Sequence, residues 1–222
     1  MVAKILKENN WFFMPYSAVF ILVIPFILFT SKADLHLWFN QYHSHFFDWI
    51  FKHITWLGDG LFICTVGVFL IFLSFRHSLF ILSSYLATGL VTQLLKRLIF
   101  ADIVRPVKYF QHISELHLVE GVKILASRSF PSGHATSAFA FFLCLAMIIK
   151  NNCIKLACLI LACLVAYSRV YLSQHFLVDI YVGSLIGSIG AVGMYLVFYR
   201  KEKRWHDANM TTLFTHNEKI NK

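Results

Sequence analysis

The sequence predicts an all-α, polytopic membrane protein with about six transmembrane helices and one amphipathic helix lying in the interface. Three observations carry that prediction. Of 222 residues, 58% are hydrophobic and only 14% are charged, well short of the quarter or so that covers a soluble domain. The apolar residues come in long runs, and a run of about 20 is what a helix needs to cross the hydrocarbon core. Lys and Arg collect preferentially at one set of run ends, as they do in membrane proteins with a fixed orientation.

The candidate spans, in order, are Phe13 to Thr30, Leu61 to Phe75, Ser78 to Leu95, Thr136 to Ile149, Cys153 to Leu172 and Leu177 to Tyr199. Leu61 to Phe75 is short for a full crossing. No Ala-x-Ala-like cleavage site follows the first run, so it reads as a retained helix. There is no internal repeat or low-complexity linker, and residues 1–222 read as a single domain. The five cysteines, Cys64, Cys144, Cys153, Cys158 and Cys163, sit within or beside spans without zinc-ligand spacing. They read as small apolar side chains.

With six crossings both termini share a side. That side carries Lys4, Lys7, Arg76, Lys150, Lys155 and the tail cluster Arg200, Lys201, Lys203 and Arg204. The positive-inside bias makes it cytoplasmic. The loop Lys96 to Pro131 then faces the other way, yet it holds Lys96, Arg97, Arg105, Lys108, Lys123 and Arg128. Cations placed against the bias serve an anionic ligand, or lipid headgroups in the case of Lys108 and Lys123. The net charge of +9 is explained by orientation and anionic lipid. Nucleic acid is excluded as a partner because no soluble domain presents a basic stripe.

Asp34 to Thr55 differs from the spans. Leu35, Trp38, Phe39, Tyr42, Phe46, Trp49 and Ile50 recur at helical spacing between polar residues, which predicts one interfacial helix. His36, His43, His45 and His53 within it read as interfacial histidines, because nothing nearby completes a metal site.

Two segments carry chemistry. In Ser168-Arg169-x5-His175-x3-Asp179, Arg169 ends a span with a guanidinium able to fork onto phosphate oxygens. His175 opens the last span, and Asp179 lies one helical turn later on the same face. A carboxylate there can accept the Nδ1 proton and leave Nε2 free to attack, the logic of an activated nucleophile. The second segment, Arg128-Ser129-Phe130-Pro131-Ser132-Gly133-His134, immediately precedes a span. The first-turn N–H groups make an anion site there, and His134 can protonate a leaving oxygen. Lys96 or Arg97, together with Arg105-Pro106, adds cations suited to the charge of a phosphoryl transition state.

In this order the three pieces resemble the type 2 phosphatidic acid phosphatase (PAP2) superfamily. Its pattern is Lys-x6-Arg-Pro, then Pro-Ser-Gly-His, then Ser-Arg-x5-His-x3-Asp. The second and third pieces match at Pro131–His134 and at Ser168, Arg169, His175 and Asp179. The first departs, since eight residues separate Lys96 from Arg105 and seven separate Arg97 from it. Lys96 is favoured for the lysine position.

The resemblance covers about 95–179 and implies a PAP2-like helical bundle. It also implies a metal-independent phosphatase without cofactor, in which His175 forms a phosphohistidine oriented by Asp179 and His134 protonates the leaving alcohol. Lys96, Arg105, Ser132, Gly133 and Arg169 would hold the phosphate, with Arg97 and Arg128 as further candidates. The expected substrate is a lipid phosphate or pyrophosphate met at the periplasmic face of a bacterial inner membrane. Candidates are lipid A, undecaprenyl diphosphate, phosphatidylglycerophosphate and phosphatidic acid. The rival readings are a phosphotransferase sharing the intermediate and an anionic-lipid transporter or scaffold without turnover. Oligomeric state is not legible.

Overall fold

Each run expected to span the bilayer is helical in the structure, a computed structural model that describes residues 1–200. Of the basic tail cluster, Lys201, Lys203 and Arg204 lie outside the described residues. The helices are α1 (Val2–Glu8), α2 (Asn10–Phe29), α3 (Lys32–Asn40), α4 (His45–Ile54), α5 (Gly60–Phe69) and α6 (Phe75–Leu94), followed by α7 (Pro106–Phe110), α8 (Gly133–Ile148), α9 (Asn152–Tyr171) and α10 (Leu177–Tyr199). A 3₁₀ turn at Thr55–Gly58 links α4 to α5, another at Leu70–Phe72 closes α5, and a π turn at Leu95–Ile99 extends α6.

The six expected spans differ in length and continuity. Four helices, α2, α6 with its π turn, α9 and α10, are long and apolar enough to cross a membrane. The stretch from α4 to the end of α5 makes a fifth only as a pair bent by 53°. The second run, Leu61 to Phe75, is kept short because Asp59 caps α5, accepting from Leu61 N at 2.8 Å, while Ser74 already caps α6, accepting from His77 N. The fourth run forms α8, which has 16 residues, about 24 Å at 1.5 Å per residue. It lies at the centre of the bundle with most of its side chains buried, packed by α6, α9 and α10.

The ends of the bundle are chemically distinct. At one, Lys155 donates to Glu8 O at 2.5 Å and to Asn9 Oδ1 at 2.7 Å, and the Arg76 guanidinium sits 3.8 Å from the Tyr199 ring centroid. At the other lie Lys96, Arg105, Ser132, His134, Arg169 and His175. These residues come together because α8 and α10 approach closely. A Cβ added at Gly183 would lie 2.7 Å from Ser132 O, and one at Gly187 would lie 2.9 Å from Ala140 N and also collide with Thr136 O. Small residues let backbones meet where lipid supplies no hydrophobic drive between helices. The contact is completed by Ser132 N donating to Asp179 O at 2.9 Å.

The single interfacial helix expected over Asp34 to Thr55 is two helices. The chain turns at Gln41–Ser44, and Ser44 caps α4 by accepting from Phe47 N at 3.3 Å. Aromatic spacing continues through the break, which hides it from a periodicity argument. His43, His45 and His53 are exposed, as expected of interfacial histidines, but His36 is not. It is 2% exposed, stacked on Phe110 and edge-on to Phe176.

Replacing Gly187 with Leu forces the α8 backbone away from α10. The expected result is a melting temperature in detergent lowered by an amount corresponding to overpacking, about 1–3 kcal/mol. An unchanged melting curve would show that this close contact does not hold the two helices in register.

Candidate active site

The spacing Ser-Arg-x5-His becomes intelligible at the C-terminus of α9. Ser173 takes the left-handed conformation, φ 52°, and folds the chain back on the helix end. Arg169 O then accepts from both Gln174 N at 2.9 Å and His175 N at 3.0 Å. One short turn thereby locks the nucleophile candidate to the backbone of the phosphate-binding candidate. The strained residue is held from outside by α3, since Ser173 Oγ lies 3.2 Å from His36 Nε2 and accepts from Asn40 Nδ2 at 3.3 Å. Burial pushes the His36 imidazole down to about 4, so it works as a neutral hydrogen-bonding ring.

His175 and Asp179 stand four residues apart across the entrance of α10, both almost fully buried. His175 Nδ1 lies 3.2 Å from Asp179 Oδ2. The same oxygen accepts from Phe176 N at 3.0 Å and from the Ser129 hydroxyl. On the other edge of the ring, Arg105 Nη1 lies 3.3 Å from Nε2. A guanidinium can only donate, so Nε2 is the unprotonated nitrogen and Nδ1 carries the proton. Burial first, then the Arg105, Lys96 and Arg169 cations, hold His175 protonation well below the ordinary imidazole value. The ring is a neutral imidazole with its lone pair turned toward the cations.

Those cations are the other half of the site. Lys96, Arg105 and Arg169 are 7%, 6% and 7% exposed. All three act electrostatically on both His175 and His134. Among the described residues, the carboxylates that act on them are Asp179 and, for Arg169, Asp59. Asp179 is already engaged by His175 and Ser129. Arg169 donates one Nη1 bond to Thr55 Oγ1 at 2.7 Å, while its Nε is buried without a partner. Buried charge is costly unless something pairs with it, so the cluster is suited to an anion that arrives from outside.

The start of α8 completes the cradle. Ser132 caps the helix, and among the described residues the Gly133 and His134 N–H groups take no partner. A Cβ at Gly133 would meet nothing within 4 Å, so its backbone faces open space. Helix-terminal N–H groups beside buried cations are suited to a tetrahedral oxyanion.

The irregular first motif is absorbed locally. Phe100 N reaches back to Leu95 O at 2.9 Å, closing the π turn that carries Lys96 inward. Arg97, the next residue, is exposed. Arg105 is anchored by Nε to Ser127 O at 3.0 Å and by Nη1 to Gln174 O at 2.9 Å. Arg97 and Arg128 are both exposed and do not join the buried cluster. Four residues that the spacing did not point to do join it or brace it: His36, Thr55, Ser129 and Gln174. Ser129 and Gln174 stood within the motif segments, at positions whose residue type the pattern leaves open; His36 and Thr55 meet the site across long sequence separations.

The chain is similar in sequence and fold to known proteins. The PAP2 superfamily model matches residues 77–203. A lipid A 4'-phosphatase of Porphyromonas gingivalis is 28% identical over 148 residues, which is 64% of this chain and 62% of that protein. The chain thus spans about three fifths of the length of that curated relative. The crystal structure of Aquifex aeolicus LpxE superposes with a TM-score of 0.64 at 26% identity, covering 72% of this chain and 92% of that one. A transmembrane PAP2-type phosphatidylglycerolphosphate phosphatase from Bacillus subtilis has the same fold, with a TM-score of 0.63 at 21% identity over 89% of this chain and 98% of that one.

Two outcomes are expected of this site. Inorganic phosphate raises the melting temperature of the purified protein, and Arg105→Met abolishes the shift; a shift that survives the substitution places the anion elsewhere. In a histidine NMR titration, His175 is expected to titrate well below the ordinary imidazole position, because burial and the neighbouring cations disfavour its charged form. A resonance from His175 titrating at the ordinary position would contradict the charge balance described.

Proposed function

The chain belongs to the PAP2 superfamily, and on that premise we propose that it is a multi-pass membrane phosphatase that hydrolyses a lipid phosphate through a phosphohistidine intermediate. The observation that carries this reading is the pairing of an unprotonated His175 Nε2 with three buried cations that lack a full set of counterions. An anion-binding scaffold needs the cations but has no use for a nucleophile with a fixed tautomer beside them.

The sequence of events follows from the residues. The phosphate of the lipid is held by Lys96, Arg105, Arg169 and the N–H groups at the start of α8. Nε2 of His175 attacks phosphorus, and the bond from phosphorus to the lipid oxygen breaks, its electron pair leaving with that oxygen. His134 supplies the proton that makes the departing group an alcohol. Water then attacks the phosphohistidine, its proton returns to His134, and inorganic phosphate leaves His175 restored. Asp179 keeps Nδ1 protonated and stabilises the positive ring of the intermediate. Fixed cations and N–H groups stabilise the equatorial oxygens in a site they need not reorganise to fit.

Position along the membrane supports the substrate class. The site sits at helix ends, so an amphiphile can keep its acyl chains in the bilayer while its headgroup enters. Lys4, Lys7, Arg76 and Lys150 lie toward the opposite end of the bundle, which supports a site on the outer, periplasmic face of a bacterial inner membrane.

Phosphate release from a panel of purified lipid phosphates in detergent tests the proposal. His175→Ala is expected to lose activity by about 10³-fold or more, and EDTA to leave the wild-type rate unchanged. Normal turnover by the His175→Ala protein would remove the proposed nucleophile.

A further inference from the structure

An apolar slot runs along α2, apart from the catalytic groups. Its deeper part is a cavity of about 190 Å³ between α2, α9 and α10, with Val19, Val23, Phe139 and Leu177 in its walls. Its outer part, about 120 Å³, lies between the end of α2 and the starts of α3 and α10, and Ile27, Lys32 and Val178 line it. Leu177 belongs to both parts. From Tyr16 at the floor to Ile27 near the mouth, α2 rises about 16 Å at 1.5 Å per residue. That is about half the thickness of a hydrocarbon core, so the slot is as deep as one leaflet. Neither His175 nor the three buried cations line it.

The hydroxyls bordering the floor are taken up by protein. Tyr16 Oη and Ser184 Oγ lie 3.1 Å apart, and Tyr181 Oη donates to Phe20 O at 3.3 Å. The mouth is different. Lys32 opens α3, and its ammonium stands 5.1 Å from the Tyr109 ring centroid and 5.0 Å from that of Phe176. It is exposed and forms no salt bridge among the described residues. Asp34, two residues on, accepts from Ser31 Oγ at 2.7 Å. Asp179 shares a neighbouring cavity with Lys32, but its Oδ2 is engaged by His175, Ser129 and Phe176 N. A lysine held over two ring faces keeps N–H groups available to an anion.

We propose that the slot binds a resident phospholipid that is not turned over. One acyl chain lies between α2 and α10, and an anionic phosphodiester headgroup meets Lys32. Apolar walls of leaflet depth suit a hydrocarbon chain and exclude polar groups, and a cation at headgroup level adds attraction for an anionic lipid. The helix that gains most is α2, which buries only Phe12 and Tyr16 against the protein; a chain in the slot fills the gap between it and α9 and α10. Gly133 and His134 open on a separate cavity between α5, α6 and α8. The lipid in the slot and an anion at the catalytic cations therefore occupy different places.

Native mass spectrometry of the full-length protein, released from micelles containing phosphatidylglycerol or phosphatidylcholine, tests the proposal. The wild type is expected to retain one phosphatidylglycerol and to prefer it to phosphatidylcholine by about fivefold, the effect of one cation near the membrane surface. Lys32→Gln, at an exposed position, is expected to remove the preference, and Val23→Trp, which fills the slot, to remove retention. Both variants are expected to keep the thermal stabilisation by inorganic phosphate, which reports on the folded bundle and its buried cations. Equal retention of the two lipids by the wild type, or a preference unmoved by Lys32→Gln, overturns the inference and leaves the phosphatase reading intact. Phosphatidylglycerol that abolishes the inorganic phosphate shift overturns it too, because the lipid then occupies the active site.

Discussion

The arrangement depends on an imbalance of buried charge. Lys96, Arg105 and Arg169 are drawn out of water at the end of a helical bundle, and the nearest carboxylates do not neutralise them. Such a cluster is expensive at the edge of a membrane unless it is satisfied by a ligand. Burial first, and then the same cations, keep the His175 imidazole neutral, and Arg105 fixes which nitrogen is bare. The proposed anion binding and the proposed nucleophile thus depend on the same buried cations.

The fold keeps that imbalance from relaxing. Close α8–α10 contact through Gly183 and Gly187 brings the His134 helix end against the His175–Asp179 pair. The turn at Ser173 ties His175 to Arg169 through their backbones, and α3 braces the turn through His36 and Asn40. Gln174 extends the bracing to the long loop, accepting from Arg105 and donating to Lys123 O at 3.1 Å. The loop cations divide accordingly: Arg105 is fixed and buried, whereas Lys108, Lys123 and Arg128 remain exposed at the surface.

How much of this was legible in the sequence follows from how far apart the partners lie in the chain. His175 with Asp179, and Ser132 with Gly133 and His134, are local patterns whose geometry is set by one helical turn, and the structure assembles them as that spacing predicts. The helical class and the strongly apolar runs were equally legible. Thr55, His36 and Gln174 were not, because each acts on a residue brought near only by tertiary packing. The π turn at Lys96 was visible only as an irregular spacing, since no composition signal marks an i→i+5 hydrogen bond. The break between α3 and α4 was hidden because aromatic residues keep helical spacing through Gln41–Ser44. The run of α8 was legible too, although at 16 residues it is shorter than α2, α6, α9 and α10.

The central claim is that His175 forms a covalent bond to phosphorus. Rapid acid-free quenching during turnover of a radiophosphate-labelled lipid, followed by peptide mapping, tests it most directly. The account predicts a label that is stable to base, labile to acid and confined to the peptide carrying His175. A label on any other residue, or turnover at full rate with no labelled protein at any time point, would contradict it.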